Sequence, residues 1–234
     1  FSNFAGIRLD GSNATIIGDA PGEFRADRND IPRVWMDHGA WPLLTTQLYL
    51  DFSGDLAFLL KEQAYFKDSW IHRAQAADET WQPEDGTEMR TNRESIYRGS
   101  ILEHLLVQHL TAFFNVGEHN IIRLEGADWN DALDMARFRG ESVAFTAFYA
   151  SNFRALSQLV LALGRLGLTE VGLLAELLPL LDRLGAPVDY DSVADKQSRL
   201  AEYCDVTQHT ISGERVAVPL HDLSADLAAK AEWL

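Results

Sequence analysis

Apolar residues recur along this 234-residue chain mostly at the three- and four-residue spacing of helices. Trp35, Trp41, Leu44, Leu48 and Tyr49 form one such stripe. Pro42 suits a first turn, where its missing N–H is not needed, so regular helix is expected from about that residue to Gly54. Asp55 to about Tyr65 predicts a second helix, and the two together an αα-hairpin with a short connection. Leu102, Leu105, Leu106, His109, Phe113 and Phe114 share one face of a helix over about Ser100–Asn115, ended by Gly117.

Glu141 and Ser142 offer an N-terminal cap to a strong helix reaching about Arg165. Thr169 to Leu184 predicts another, kinked at Pro179, where a backbone donor is lost and the preceding turn is crowded. A further helix is expected over Asp191–Tyr203, and a last one starts near Ser224 and is still running at Leu234. Val206–Ile211 and Arg215–Val218 flank Ser212-Gly213-Glu214 and predict a small hairpin, and Ala14–Ile17 a short strand. Residues 1–32 are a loop-rich opening segment. Residues 67–97 form a long polar loop in which Trp70 and Trp81 serve either a lid over a cleft or anchors onto the body. No fixed-period repeat emerges. The pattern predicts one all-α domain of helical hairpins, with functional material in the connections.

Composition narrows the function classes. At 47% apolar residues the chain can bury a sizeable core. A formal charge of −15 argues against nucleic acid, whose phosphates require clustered Lys and Arg. No basic amphipathic run suggests a membrane surface, and no apolar run is long enough to span one. The single cysteine, Cys204, excludes an intrachain disulfide and favours a reducing, cytoplasmic setting. No metal is expected: His104 and His109 are five apart, not the four that places two ligands on one helical face, and read as surface or partly buried residues.

Chemistry concentrates in Gly126-Ala127-Asp128-Trp129-Asn130-Asp131-Ala132-Leu133-Asp134. Three carboxylates, an amide and an indole within seven residues are costly for a connector. They make sense if they bind hydroxyls, share a proton or hold one another in place. A calcium loop fits poorly, because Ala132 and Leu133 stand where a ligand oxygen and a glycine are needed. The plain reading is a turn of helix-capping acids. A second dense run, Glu23-Phe24-Arg25-Ala26-Asp27-Arg28-Asn29-Asp30, reads by composition as a solvated face. Glu118-His119-Asn120 reads as a helix-ending loop, with a polar mouth to the motif as the alternative.

The Asp-Trp-Asn-Asp stretch resembles the Gly-Asp-Trp-Asn-Asp-Gly motif of the cellobiose and chitobiose phosphorylases, family 94 of the glycoside hydrolases. The resemblance is close for about a dozen residues and loose over most of the chain. It implies part of an (α/α)6 barrel and inverting phosphorolysis of a β-linked glucosyl di- or oligosaccharide to a sugar 1-phosphate. Asp131 matches the general acid, and Asp128 and Trp129 shape its surroundings and contact the sugar. Related phosphorylases hold the sugar with an Arg and the last Asp of a Ser-Asp-Asp run, and Arg25 and Asp30 stand in the similar places. Arg28-Asn29 replaces the Ser-Asp here, so that transfer is weaker.

Inorganic phosphate is the co-substrate, and no cofactor is implied. Family members are longer, with an upstream β-sandwich, and often homodimeric, so this chain reads as a piece of the catalytic domain that is inactive alone. Phosphate and aglycone residues are expected beyond Leu234. An inverting hydrolase on the same barrel and a non-catalytic carbohydrate-binding domain are the alternatives. The hydrolase needs a second carboxylate to activate water, whereas phosphate is already a competent nucleophile. Neighbouring Asp128 and Asp134 would help Asp131 keep its proton near neutrality.

Overall fold

The computed structural model describes residues 1–26, 33–126, 136 and 138–234. Asp30, Asp128, Trp129 and Asp131 therefore lie outside the described residues, while Arg25 lies within them.

Helix α2, Ile101–Phe114, is the centre of the molecule: every one of its residues is buried. Its polar residues Glu103, His104, Gln108, His109 and Thr111 are buried along with the apolar ones, so the helix is enclosed by other elements rather than laid on a surface. Ser100 caps it by accepting the Glu103 N–H at 3.0 Å. The other helices are α1 (Trp41–Ser53), α3 (Val143–Ala162), α4 (Val193–Thr207) and α5 (Leu220–Trp233), of which α3 and α4 pack on α2. Helix α1 begins with Pro42 in its first turn and ends at Gly54, whose φ of 68° makes the left-handed cap that a side chain would resist. Ser142 and Ser192 cap α3 and α4 through their hydroxyls. Helix α3 packs along α5.

The all-α expectation is overturned, and with it the (α/α)6 barrel. The described residues include four two-stranded antiparallel sheets. Strand β1 (Ile16–Ile17) pairs with β2 (Phe24–Arg25), and β3 (Glu62–Ala64) with β6 (Arg98–Ser100). Strand β4 (Trp70–Ile71) pairs with β5 (Ala76–Ala77), and β7 (Glu170–Leu174) with β8 (Arg215–Pro219).

Each of the two helices that fail to form gives way to one of these sheets. Residues 55–65 make only a 3-10 turn, Leu56–Leu60, before Glu62–Ala64 extends to pair with Arg98–Ser100, so no αα-hairpin follows α1. From Glu170 to Leu173 burial alternates, Val171 and Leu173 inward and Glu170 and Gly172 outward, which is strand spacing. Only Ala175–Leu180, with Pro179, winds into a 3-10 helix. Strand β8 takes β7 as its partner, so the expected pairing of 206–211 with 215–218 does not form; residues up to Thr207 belong to α4.

Among the described residues no helix is long and apolar enough to cross a membrane.

Candidate functional site

The described residues on either side of the acid-rich motif are pinned to one another and to α2. Residues 122–124 run antiparallel to 140–142: the Leu124 N–H donates to Gly140 O at 2.8 Å, and the Ser142 N–H to Ile122 O at 3.0 Å. The Arg123 N–H donates to Asn115 O at the end of α2 (2.9 Å), and its guanidinium to Phe138 O (2.9 Å). Glu118, His119 and Asn120, expected as a plain loop, are all committed. Glu118 pairs with Arg139 at 2.6 Å and His119 with Glu141 at 2.6 Å, both on the far flank of the motif. Burial pushes the Glu141 carboxyl up, but the hydrogen bonds from His119 and Ile121 outweigh it and hold it below the usual carboxylate range. Asn120 donates to Tyr190 O at 2.9 Å.

The near flank is held more firmly. Glu125 is buried with a left-handed φ of 57°, uncommon for a residue with a Cβ. Its carboxylate accepts two bonds from Arg73, Nε at 2.7 Å and Nη2 at 2.6 Å, and one from Asn115 Nδ2 at 2.9 Å. Arg73 is itself left-handed (φ 54°), between His72 and Ala74 in the same region. Asp10 secures that turn by accepting the Arg73 N–H at 2.6 Å on its carboxylate and Nη1 at 2.9 Å on its carbonyl. Burial alone would lower the Arg73 pKa; Glu125 and Asp10 raise it further than burial lowers it.

One contact joins the chain four residues after the first charged run to the opening glycine of the second. The Gly126 N–H donates to Val34 O at 2.8 Å, and Trp35 bridges both Glu125 and Gly126. A Cβ on Gly126 would stand 3.0 Å from both Val34 O and Trp35 Cδ1, so the close approach favours glycine. Val34 lies four residues after Asp30, and Gly126 five before Asp131. Arg25, by contrast, sits on β2 with an exposed side chain 3.8 Å from Glu23, and its described contacts do not reach this joint.

Beside the joint the structure gathers polar atoms that motif reading missed. Among the described residues, the buried side-chain N and O atoms lacking a hydrogen-bond partner are Asp37 Oδ1, His38 Nδ1 and Gln108 Oε1. They are neighbours. The His38 ring packs edge-on against Trp35 with centroids 4.2 Å apart, and Gln108 Nε2 donates to His38 O at 3.3 Å and to Asn13 Oδ1 at 2.9 Å. Burial lowers the His38 pKa, opposed by Asp37 and assisted by Arg73, so the ring favours its neutral form. Buried atoms of this kind are normally met by solvent or a ligand.

His38 and Asn13 also line a groove of about 750 Å³, whose walls include Phe24, Trp41, Tyr49 and Phe58. Trp41 is 48% exposed, on the groove rather than in the core, although Asp37 Oδ2 holds its indole N–H at 3.0 Å. Aromatic walls with a polar end are the usual composition of a small-molecule site. Nothing in sequence spacing singled out Gln108, because an amide on an all-buried helix gives no periodic signal.

No protein-family model matches this chain, and no curated protein matches it.

Proposed function

We propose that the chain carries the acid side of an inverting glycoside phosphorylase acting on a β-linked glucosyl saccharide. The observation that carries this reading is the Gly126–Val34 hydrogen bond, which joins residues that flank the two acid-bearing runs assigned to one sugar site by the resemblance. The tethers are short: at about 3.3–3.6 Å per residue, four or five residues span less than roughly 20 Å. In the reaction, Asp131 gives its proton to the leaving glycosidic oxygen. Inorganic phosphate attacks the anomeric carbon from the opposite face, and the bond to the leaving oxygen breaks with inversion. The products are a sugar 1-phosphate and the shortened saccharide. Asp30 and Trp129 hold the ring in this scheme. The unpartnered atoms of Asp37, His38 and Gln108 add hydrogen-bonding capacity to the same neighbourhood, and the aromatic groove beyond His38 offers room for further sugar units. Arg73 does not serve phosphate, because Glu125 and Asp10 occupy its guanidinium.

One observation favours an inverting hydrolase as the second reading. Asp37 keeps a carboxylate oxygen without a partner, and a water-activating base needs such an oxygen. Incubating the whole protein with glucose 1-phosphate and a panel of acceptor sugars separates the two. Phosphate release that requires an acceptor and vanishes in Asp131→Asn supports phosphorolysis. Cleavage of β-glucosides in phosphate-free buffer, lost in Asp37→Asn, supports hydrolysis. Silence in both assays overturns both readings.

A further inference from the structure

A second cavity, of about 440 Å³, opens between the long 67–97 segment and residues 209–210. That segment is anchored rather than free. The Asn92 N–H donates to Ile211 O at 2.7 Å, and His72 Nε2 lies 3.2 Å from Asp205. At the floor of the cavity the buried Asp78 carboxylate meets Lys67 Nζ at 2.9 Å, His209 Nδ1 at 3.0 Å and the Thr80 hydroxyl at 2.6 Å. Burial pushes that carboxyl up, but these bonds hold it well below the usual carboxylate range, so it stays charged and orients the imidazole. With Nδ1 turned to Asp78, Nε2 of the half-exposed His209 ring is left to face the solvent side.

The walls carry one aromatic face and fixed polar groups of both kinds. The Trp81 indole N–H is spent on Gly86 O at 3.2 Å, which leaves the ring face of this half-buried residue for contact. Arg90 is held by Asp85 O through Nε (3.1 Å) and by Glu94 O through Nη1 (3.0 Å), so Nη2 remains to donate. Glu84 and Glu94 are exposed carboxylates on the same lining. Glu94 holds a left-handed φ of 61° in the tight 91–95 turn.

We propose that this cavity is a saccharide-binding site that takes a neutral hexopyranose unit. A sugar ring presents an apolar C–H face to an indole and a rim of hydroxyls that both donate and accept. Trp81, the two carboxylates, Arg90 and His209 supply each of those partners. The acidic lining repels anions. An organic cation would leave Arg90 without a role and would normally be caged by several aromatic rings, where this cavity has one. The volume lies within the roughly 300–1,000 Å³ typical of small-ligand sites. Nothing in the lining depends on Asp131, so sugar binding here and phosphorolysis stand or fall separately.

The test is calorimetric titration of the whole protein with a panel of neutral disaccharides, including cellobiose and chitobiose, and with tetramethylammonium chloride as the cation probe. A disaccharide is expected to bind, and to bind at least about tenfold more weakly in Trp81→Ala and in Glu84→Gln/Glu94→Gln. Trp81→Phe keeps a ring face and should retain most of the affinity even if the alanine variant does not fold. No disaccharide binding, binding indifferent to the Trp81 and glutamate variants, or binding of the cation alone would each overturn the proposal.

Discussion

Arg73 and Glu125, fifty-two residues apart, form a two-point ion pair with both side chains nearly sealed from solvent, at 2.7 and 2.6 Å. The pair fastens the near flank of the acidic motif to the N-terminal segment, because Asp10 grips the other side of Arg73. Removing one member strands a buried charge. Glu125→Gln is expected to cost about 3–5 kcal/mol in urea unfolding, and Arg73→Lys to fall short of wild type because it lacks the planar fork. A loss below about 1 kcal/mol in Glu125→Gln would show that the pair does not anchor this corner.

Gly126→Ala tests the joint itself. The added methyl meets a backbone oxygen that cannot swing away, at 3.0 Å. A destabilisation of about 1–3 kcal/mol is expected from such overpacking. In the whole protein, turnover should fall along with stability if the joint positions the site. Unchanged turnover in the alanine variant would separate the joint from the chemistry.

Acid should weaken the fold over a defined window. His104 and His109, expected as surface or partly buried residues, are fully buried, and burial pushes both pKa values down from 6.5 to about 4. His109 fits its neutral form, with Nδ1 donating to Leu105 O at 2.7 Å and Nε2 accepting from Asn152 at 3.1 Å. The unfolded chain takes up these protons first. Stability is therefore complete above about pH 6.5 and declines as pH falls toward 4. Urea midpoints across that range should drop in wild type and more shallowly in His109→Gln; parallel curves would count against the assignment.

Lys196 predicts a trend of the same sign in alkali. Its side chain is buried with Nζ 3.3 Å from the Trp233 ring centroid and 4.4 Å from that of Phe113, and burial pushes its pKa down to about 7. Between about pH 7 and the ordinary 10.5 the unfolded state binds the extra proton, so this residue makes the fold more stable as pH rises through that window. Lys196→Met should flatten the difference between pH 6.5 and pH 9 and stabilise the protein at the lower value by about 1 kcal/mol or more. Identical pH profiles for the two proteins would refute it.

Local chemistry by itself determined several of the helix ends. Pro42, Gly54, Ser100, Ser142 and Ser192 act through their own backbone freedom or a hydroxyl three residues from its target, so their effect is readable in order along the chain. It also determined where the chemistry-bearing residues cluster, at Arg25–Asp30 and Asp128–Asp134, although only Arg25 of the candidate residues lies among those described. Tertiary structure decided the rest. Glu62–Ala64 and Glu170–Leu174 became strands because Arg98–Ser100 and Arg215–Pro219, roughly forty residues away, offer hydrogen-bonding edges that no local window contains. The same distance effect made the Val34–Gly126 joint, the Arg73–Glu125 pair and the unpartnered cluster of Asp37, His38 and Gln108. Helical periodicity records which side of a segment is buried; it carries no record of which distant segment buries it.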